Sequence, residues 1–449
     1  MRDKQNYFSV LVTQIQEKGF RVVCRKLIKI SLKIVQLLIL LLTFLLVTPV
    51  VLVIRVLKPF VFIRFGYFWG TRIGHWVFDV ENYLVERRLG VRQDTNEKQP
   101  IKAFDLFFIS SLDRSFSLQS AFNQVKPTNT FFFEMCSRQL RVRKWVSVLF
   151  FVNHWLPGGD SHEIVPAVRR VGSKDLKGLF QQTKPQLFFN NDENTNGYAF
   201  LEKIGQKKED RFVCLNVRDP AYLNTDPLHK GKDWSYHNHR DSNIDTYEKA
   251  AIYLAEKGYW VFRMGKIVQN AFNAKHPRIL DYANSDYRSD FLDIWLMANC
   301  FFCISTGTGL DEVPRIFRKP AVYVNYLGTK KLITYDNIIN VPKHLVWKET
   351  NRRLTLSEHL IHSYGKSQKY EDAKVLIKNL SEEEILQAVL EIEARLNGNW
   401  KNSEEDNQLQ NRFWEIYKTF PEYNKYHGVI HSEARIGSLF LREDPEWLN

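Results

Sequence analysis

Apolar runs separated by polar, Gly- and Pro-bearing turns divide the chain into blocks whose lengths and periods predict its elements. Residues 34–54 carry no charge; as a helix these 21 residues extend about 31 Å, enough to cross a bilayer's hydrocarbon core. Residues 64–88, with Gly66, Gly70 and Gly74 followed by a helix-like stretch at 76–87, then read as strand, loop and helix. A strand follows at 105–109, a helix at 130–143, and an apolar run at 145–155 that stops at Leu156-Pro157-Gly158-Gly159. After the charged segment near 205–210 the alternation becomes regular. Strands are expected at 211–218, 259–264, 278–282, 301–304 and 321–324, and helices at 244–257 and 290–299, with a short one after residue 309. Strands alternating with helices of this length indicate a doubly wound parallel sheet. From 327 onward the pattern is mostly helical, with capping boxes at Thr355/Glu358 and Ser381/Glu384.

Four segments result: an anchor at 1–60, a first α/β domain at 61–208, a second at 209–345, and a helical tail at 346–449. In the anchor, eight basic residues precede the uncharged run, with Phe20, Val23, Leu27 and Ile30 at helical spacing among them. That is the pattern of a basic amphipathic helix on anionic lipid headgroups. Thr48-Pro49 interrupts the run and Arg55, Lys58, Arg64 and Arg72 follow it, so both flanks are basic. The positive-inside rule keeps both ends cytoplasmic, and a re-entrant hairpin bent at Pro49 is expected over a single pass. No small-residue cleavage site marks the run as a signal peptide.

The net charge of +13 calls for an anionic partner. Because the densest basic cluster abuts the apolar run, membrane lipid and a phosphorylated ligand are favoured over nucleic acid. Five cysteines in a chain of 449 residues do not make a disulfide framework and suit a reducing compartment. Cys300 and Cys303 have CxxC spacing, but they straddle the entry to a buried strand and are expected to be core. The His and Asp residues at 222–245 (His229, His237, His239, Asp233, Asp241, Asp245) fit no compact ligand spacing, so no metal site is expected.

Ligands of open α/β sheets bind where the strands end and helix N-termini turn outward. In the second domain those ends carry Arg218-Asp219, Arg240-Asp241, Arg263 with Gly265-Lys266, and the loop Ser305, Thr306, Gly307, Thr308, Gly309. Arginine suits a diphosphate because its planar fork donates two charge-assisted hydrogen bonds. Each element alone is also what a surface salt bridge or an ordinary strand end looks like; their convergence on one rim makes the candidate site. Asp311 and Glu312 are equally suited to ribose hydroxyls and to complementing the N-terminus of the helix they begin. In the first domain, His75 at the Gly74 turn is a candidate base, with Asp79 or Glu81 as carboxylate alternatives.

Longer motifs carry a resemblance. VCLNVRDPAYL (213–223), HRDSNIDTYEKAAIYLAEKGYWVFRMGK (239–266), LDYANS (280–285), SDFLDIWLMANCFFCISTGTGL (289–310), KPAVYVN (319–325), RIGHWVFDVENYL (72–84) and ARIGSLFLREDPEWL (434–448) are similar to a family of bacterial glycosyltransferases encoded with surface-polysaccharide genes. The resemblance covers nearly everything after the anchor and does not require residues 1–60. It implies two Rossmann-like domains of the GT-B kind, with a nucleotide-sugar donor on the second domain and a lipid-linked or polysaccharide acceptor on the first. Catalysis in that architecture commonly proceeds without a metal, and no cofactor besides the donor is implied. By further similarity to fucosyltransferase-like folds, Arg218, Arg240 and the 305–309 loop would take the leaving diphosphate. The expected setting is the cytoplasmic face of a bacterial inner membrane. A non-catalytic nucleotide- or sugar-binding subunit of a polysaccharide assembly complex is the alternative.

Overall fold

The computed structural model describes residues 21–95, 102–111, 125–226, 233–334 and 336–449. The amphipathic pattern expected at 1–33 therefore lies largely outside the described residues, as does His229. In chain order the first elements are α1 (Arg21–Val56), β1 (Phe62–Trp69), α2 (Ile73–Leu89), β2 (Ala103–Ser110), α3 (Thr130–Ser137), β3 (Arg141–Val142), α4 (Val146–Trp155), β4 (Glu163–Ile164) and α5 (Asn191–Lys203). Then come β5 (Phe212–Asn216), α6 (Glu248–Glu256), β6 (Trp260–Arg263), β7 (Ile279–Leu280), α7 (Asp290–Asn299), β8 (Phe302–Ser305), α8 (Glu312–Ile316) and β9 (Ala321–Tyr326). The last are β10 (Ile338–Pro342), β11 (His344–Trp347), β12 (Val375–Lys378), α9 (Glu382–Leu396), α10 (Glu404–Tyr417) and β13 (Arg435–Ile436). The fold is mixed α/β with parallel sheets.

The chain divides into two compact units that interleave along the sequence: residues 1–67, 102–125 and 141–164, and residues 68–101, 126–140 and 165–449. The first holds a four-stranded sheet of order β3-β2-β1-β4. Buried charges in it are paired: Arg64 makes a bidentate contact to Asp105, Nε to Oδ1 and Nη2 to Oδ2, both 2.8 Å. Two expectations change here. The helix expected at 130–143 stops at Ser137, because Arg141 and Val142 pair in parallel with Leu106 and Phe107. And α1 is one continuous helix with Pro49 inside it, not a hairpin. Proline withholds one backbone hydrogen bond, a loss that a long helix absorbs.

The second unit is built on a seven-stranded sheet of order β13-β10-β9-β8-β5-β6-β7, with every neighbouring pair parallel. Parallel strands are covered on both faces, which is why they read as unbroken apolar runs. Val213 and Leu215 of β5 point into a core shared with Ala250 and Leu254 of α6, Ile385 and Val389 of α9, and Phe413 of α10. Phe212 faces the other way and stacks on Trp295 of α7. Cys300 and Cys303 are fully buried, Cys303 on the face of the sheet opposite Phe302 and Ile304. The capping boxes at Thr355 and Ser381 both form. The tail is less helical than expected, since β10 and β13 extend the sheet and β11 pairs with β12.

Candidate functional site

Within the second unit, the carboxyl ends of β5, β6 and β8 open into a cavity of about 490 Å³. That is the size range of small-molecule sites. Its floor is the loop after β8. Ser305 Oγ donates to Asp311 Oδ2 at 2.7 Å, and the same carboxylate accepts from the Thr308 backbone N–H at 2.8 Å, folding the loop back on itself. Gly307 takes φ +82°, and a Cβ there would stand 2.6 Å from the Tyr326 ring. Only glycine fits that position. A Cβ on Gly74 would come 2.8 Å from Gly309 Cα, so the 70–75 loop rests directly on the floor. The following helix, α8, has five residues and includes Pro314, so the loop's own backbone and the arginines carry the site, with little from a helix dipole.

Two arginines border the loop. The Arg218 backbone N–H donates to Thr306 Oγ1 at 2.8 Å, and its Nε donates to Asp241 Oδ1 at 3.0 Å. Arg240 donates from Nη2 to the Gly307 carbonyl. Burial, then the neighbouring Arg240, lowers Arg218 to about 10, which leaves it charged at neutral pH. Lys343 steadies the segment from behind, donating to the carbonyls of His239 (3.1 Å) and Asp241 (2.6 Å). On the β6 side, Lys266 Nζ donates to the Thr128 carbonyl at 3.1 Å and lies 3.6 Å from Asp226.

The structure brings His75, Arg218, Asp219, Arg240, Gly265, Lys266, Gly307, Thr308, Gly309, Asp311 and Glu312 to the cavity wall. Ser305 and Thr306 are buried beneath it and shape the loop, and Asp241 stands behind Arg218. Asp219 is occupied with backbone, accepting from Ala221 N–H and Gln269 N–H at 2.7 Å each. Arg263 does not reach the cavity. Its side chain is buried against Asp281 at 3.1 Å and donates to the Asn270 carbonyl, an internal ion pair that a strand-end arginine forms when the following loop folds over it. Asp79 and Glu81 are likewise interior: Asp79 accepts from Val168 N–H, and Glu81 accepts from Gln186 N–H and pairs with Arg318. Of the three proposed bases only His75 lines the cavity, with Nδ1 3.1 Å from Ser173 Oγ and its ring edge-on to Trp69. Among the described residues no group of three or more His, Cys, Asp and Glu is placed to hold a metal ion.

Sequence reasoning missed several wall residues: Arg72, Trp234, Lys331 and above all Lys174. The signal for Lys174 was the turn Gly172-Ser173, where both residues take positive φ and deliver the lysine inward. Lys174 Nζ donates to the Lys331 carbonyl at 3.1 Å, and burial brings its pKa down to about 7. Nearby, burial raises Glu312 to about 7 while Arg315 holds its Oε1. The cavity thus has a cationic wall, Arg218 with Arg240, and a second region where burial lowers the pKa of Lys174 and raises that of Glu312.

No protein-family model and no curated protein matches the chain. Among solved structures it shares 12% identity with Escherichia coli ADP-heptose LPS heptosyltransferase II, over 58% of this chain and 85% of that one, at TM-score 0.31. With the glycosyl transferase family 9 protein of Veillonella parvula the identity is 10%, the coverage 75% and 98%, and the TM-score 0.42. With a UDP-N-acetylglucosamine 2-epimerase they are 10%, 76% and 98%, and 0.25.

Proposed function

We propose that this chain is a membrane-associated, GT-B-like glycosyltransferase. It takes a nucleotide-sugar donor and passes the sugar to a lipid-linked or polysaccharide acceptor in surface-polysaccharide biosynthesis, on the cytoplasmic face of the bacterial inner membrane. The observation that carries the reading is Arg218 and Arg240 set against the 305–309 loop, with His75 on the same cavity. In the reaction the acceptor oxygen bonds to the anomeric carbon as the bond from that carbon to the diphosphate oxygen breaks. The electron pair leaves with the diphosphate, where fixed positive charge counts most. Arg218, aimed by Asp241 and Thr306, and Arg240 supply it, the work that a divalent cation does in other transferases. His75, oriented by Ser173, takes the acceptor hydroxyl's proton.

The test is purified full-length protein assayed against a panel of nucleotide sugars for nucleoside diphosphate release and sugar transfer. Turnover that disappears in Arg218→Ala supports the reading. Saturable donor binding with no turnover on any acceptor supports the non-catalytic subunit instead, and absence of binding to every donor overturns both.

A further inference from the structure

Helix α1 is long and apolar enough over Ser31–Val56 to cross a membrane, and it is not alone. Val51 of α1 is fully buried in a cluster with Phe151 and Val152 of α4, flanked by Leu40, Phe44 and Val47. The Phe44 and Phe151 rings meet edge-on at 5.9 Å. Measured along α1, Leu40 lies about 14 Å and Val51 about 30 Å from Ser31. The part that α4 covers is therefore the half of the span nearer the globular first unit. The rest of the circumference there stays apolar and uncovered: Leu45 is 71% exposed and Leu46 62%. Water does not stabilise such a surface; lipid does.

α4 is itself suited to that layer. Between Lys144 and His154 it has no charged residue. One side packs on the sheet, where Phe150 meets Tyr67 and Phe108 at 5.5 Å. Its ends expose Trp145 (54%) and Trp155 (61%), and the turn after α1 exposes Phe60 (84%) beside Lys58. Aromatic rings with a neighbouring cation are the residues that settle at headgroup depth. An independent observation concerns the C-terminus of α4, whose last carbonyls have no helical partner. Arg55 of α1 adds donors there, to the carbonyl of Asn153 (2.9 Å), to those of Leu156 (3.1 Å) and Pro157 (2.7 Å) just past the helix, and to Asn153 Oδ1. A Cβ on Gly159 would stand 2.8 Å from that guanidinium, so glycine leaves it room. A helix end supplied with donors from within the protein does not need water there.

We propose that α4 enters the bilayer alongside α1, in the leaflet facing the globular first unit, and that Trp155, Phe60 and Lys58 mark the headgroup boundary. The chain then holds an anionic membrane through two packed helices. The inference rests on reading α1 as a bilayer anchor, and the experiment separates the two. In full-length protein with Cys24→Ser, the remaining cysteines are buried, so an environment-sensitive fluorophore can be attached at Leu38→Cys (α1), Trp155→Cys or Val148→Cys (α4). The protein is reconstituted in phosphatidylcholine/phosphatidylglycerol vesicles carrying lipid-attached quenchers. Quenching at position 38 and at 155 or 148 is expected. Quenching at 38 with water-like emission at both α4 positions overturns the inference and leaves the anchor standing. Water-like emission at all three overturns both.

Discussion

Arg218→Ala removes a cation from the cavity wall while leaving the backbone of the floor intact. The Arg218–Asp241 pair is mostly buried, its side chains 13% and 21% exposed, so removing the arginine costs about 1–3 kcal/mol of stability. The backbone N–H bond to Thr306 survives the substitution, and the loop keeps its Ser305–Asp311 and Thr308–Asp311 bonds. The floor of the site should therefore stand. The transition state loses a fixed donor to the leaving diphosphate, which at sites of this kind costs about 3–4 kcal/mol, or roughly 10²–10³ in kcat. Arg218→Lys keeps the charge but not the fork, and should recover part of that loss. The assay is initial-rate nucleoside diphosphate release by full-length enzyme, with thermal unfolding run in parallel. A parent-like rate in Arg218→Ala refutes the assignment. So does a rate loss accompanied by a collapsed unfolding transition, because the effect would then be structural.

Other outcomes follow from the same contacts. Gly74→Ala places a methyl 2.8 Å from Gly309 Cα, and should cut turnover while costing about 1–3 kcal/mol, read by rates and urea unfolding together. Gly197→Ala drives a methyl to 2.1 Å from the fully buried Trp295 ring, and neither residue lines the cavity; it should lower Tm with little change in rate per folded molecule. His359, buried edge-on to Trp447, is held by burial at about 3. An unfolded imidazole binds a proton near about 6.5, so this group's stabilisation is full above that pH and fades as pH falls toward 3. His359→Gln should accordingly flatten the acid limb of a Tm-against-pH scan, and an unchanged slope would contradict the assignment. Ser381→Ala removes the N-cap of α9 and should cost about 1 kcal/mol in chemical denaturation.

The second unit was legible because its strands are buried on both faces. β5, β6, β8 and β9 announced themselves as apolar runs within a residue or two of their ends, and α7 as a helix at 290–299. Strands that join the sheet late were not legible: β13 is two residues long, and only its parallel partner β10 makes it a strand. The site followed the same division. Residues at strand ends, Arg218 and the 305–309 loop, could be placed because sheet topology dictates where they go. Arg263 misled because the same position serves equally well for an internal pair, and the choice depends on Asp281, eighteen residues on. Lys174 escaped notice because its placement comes from a two-residue turn of positive φ with no periodic pattern around it. In the first unit, α4 read only as an apolar run, since its meaning lies in the helix it packs against.

The most direct measurement is a structure of the full chain with a nucleoside diphosphate bound. Both phosphates are expected within hydrogen-bond reach of Arg218 and Arg240, resting on the backbone of Thr306 to Gly309. A diphosphate seated elsewhere, with these arginines still turned to Asp241 and to the Gly307 carbonyl, would contradict it.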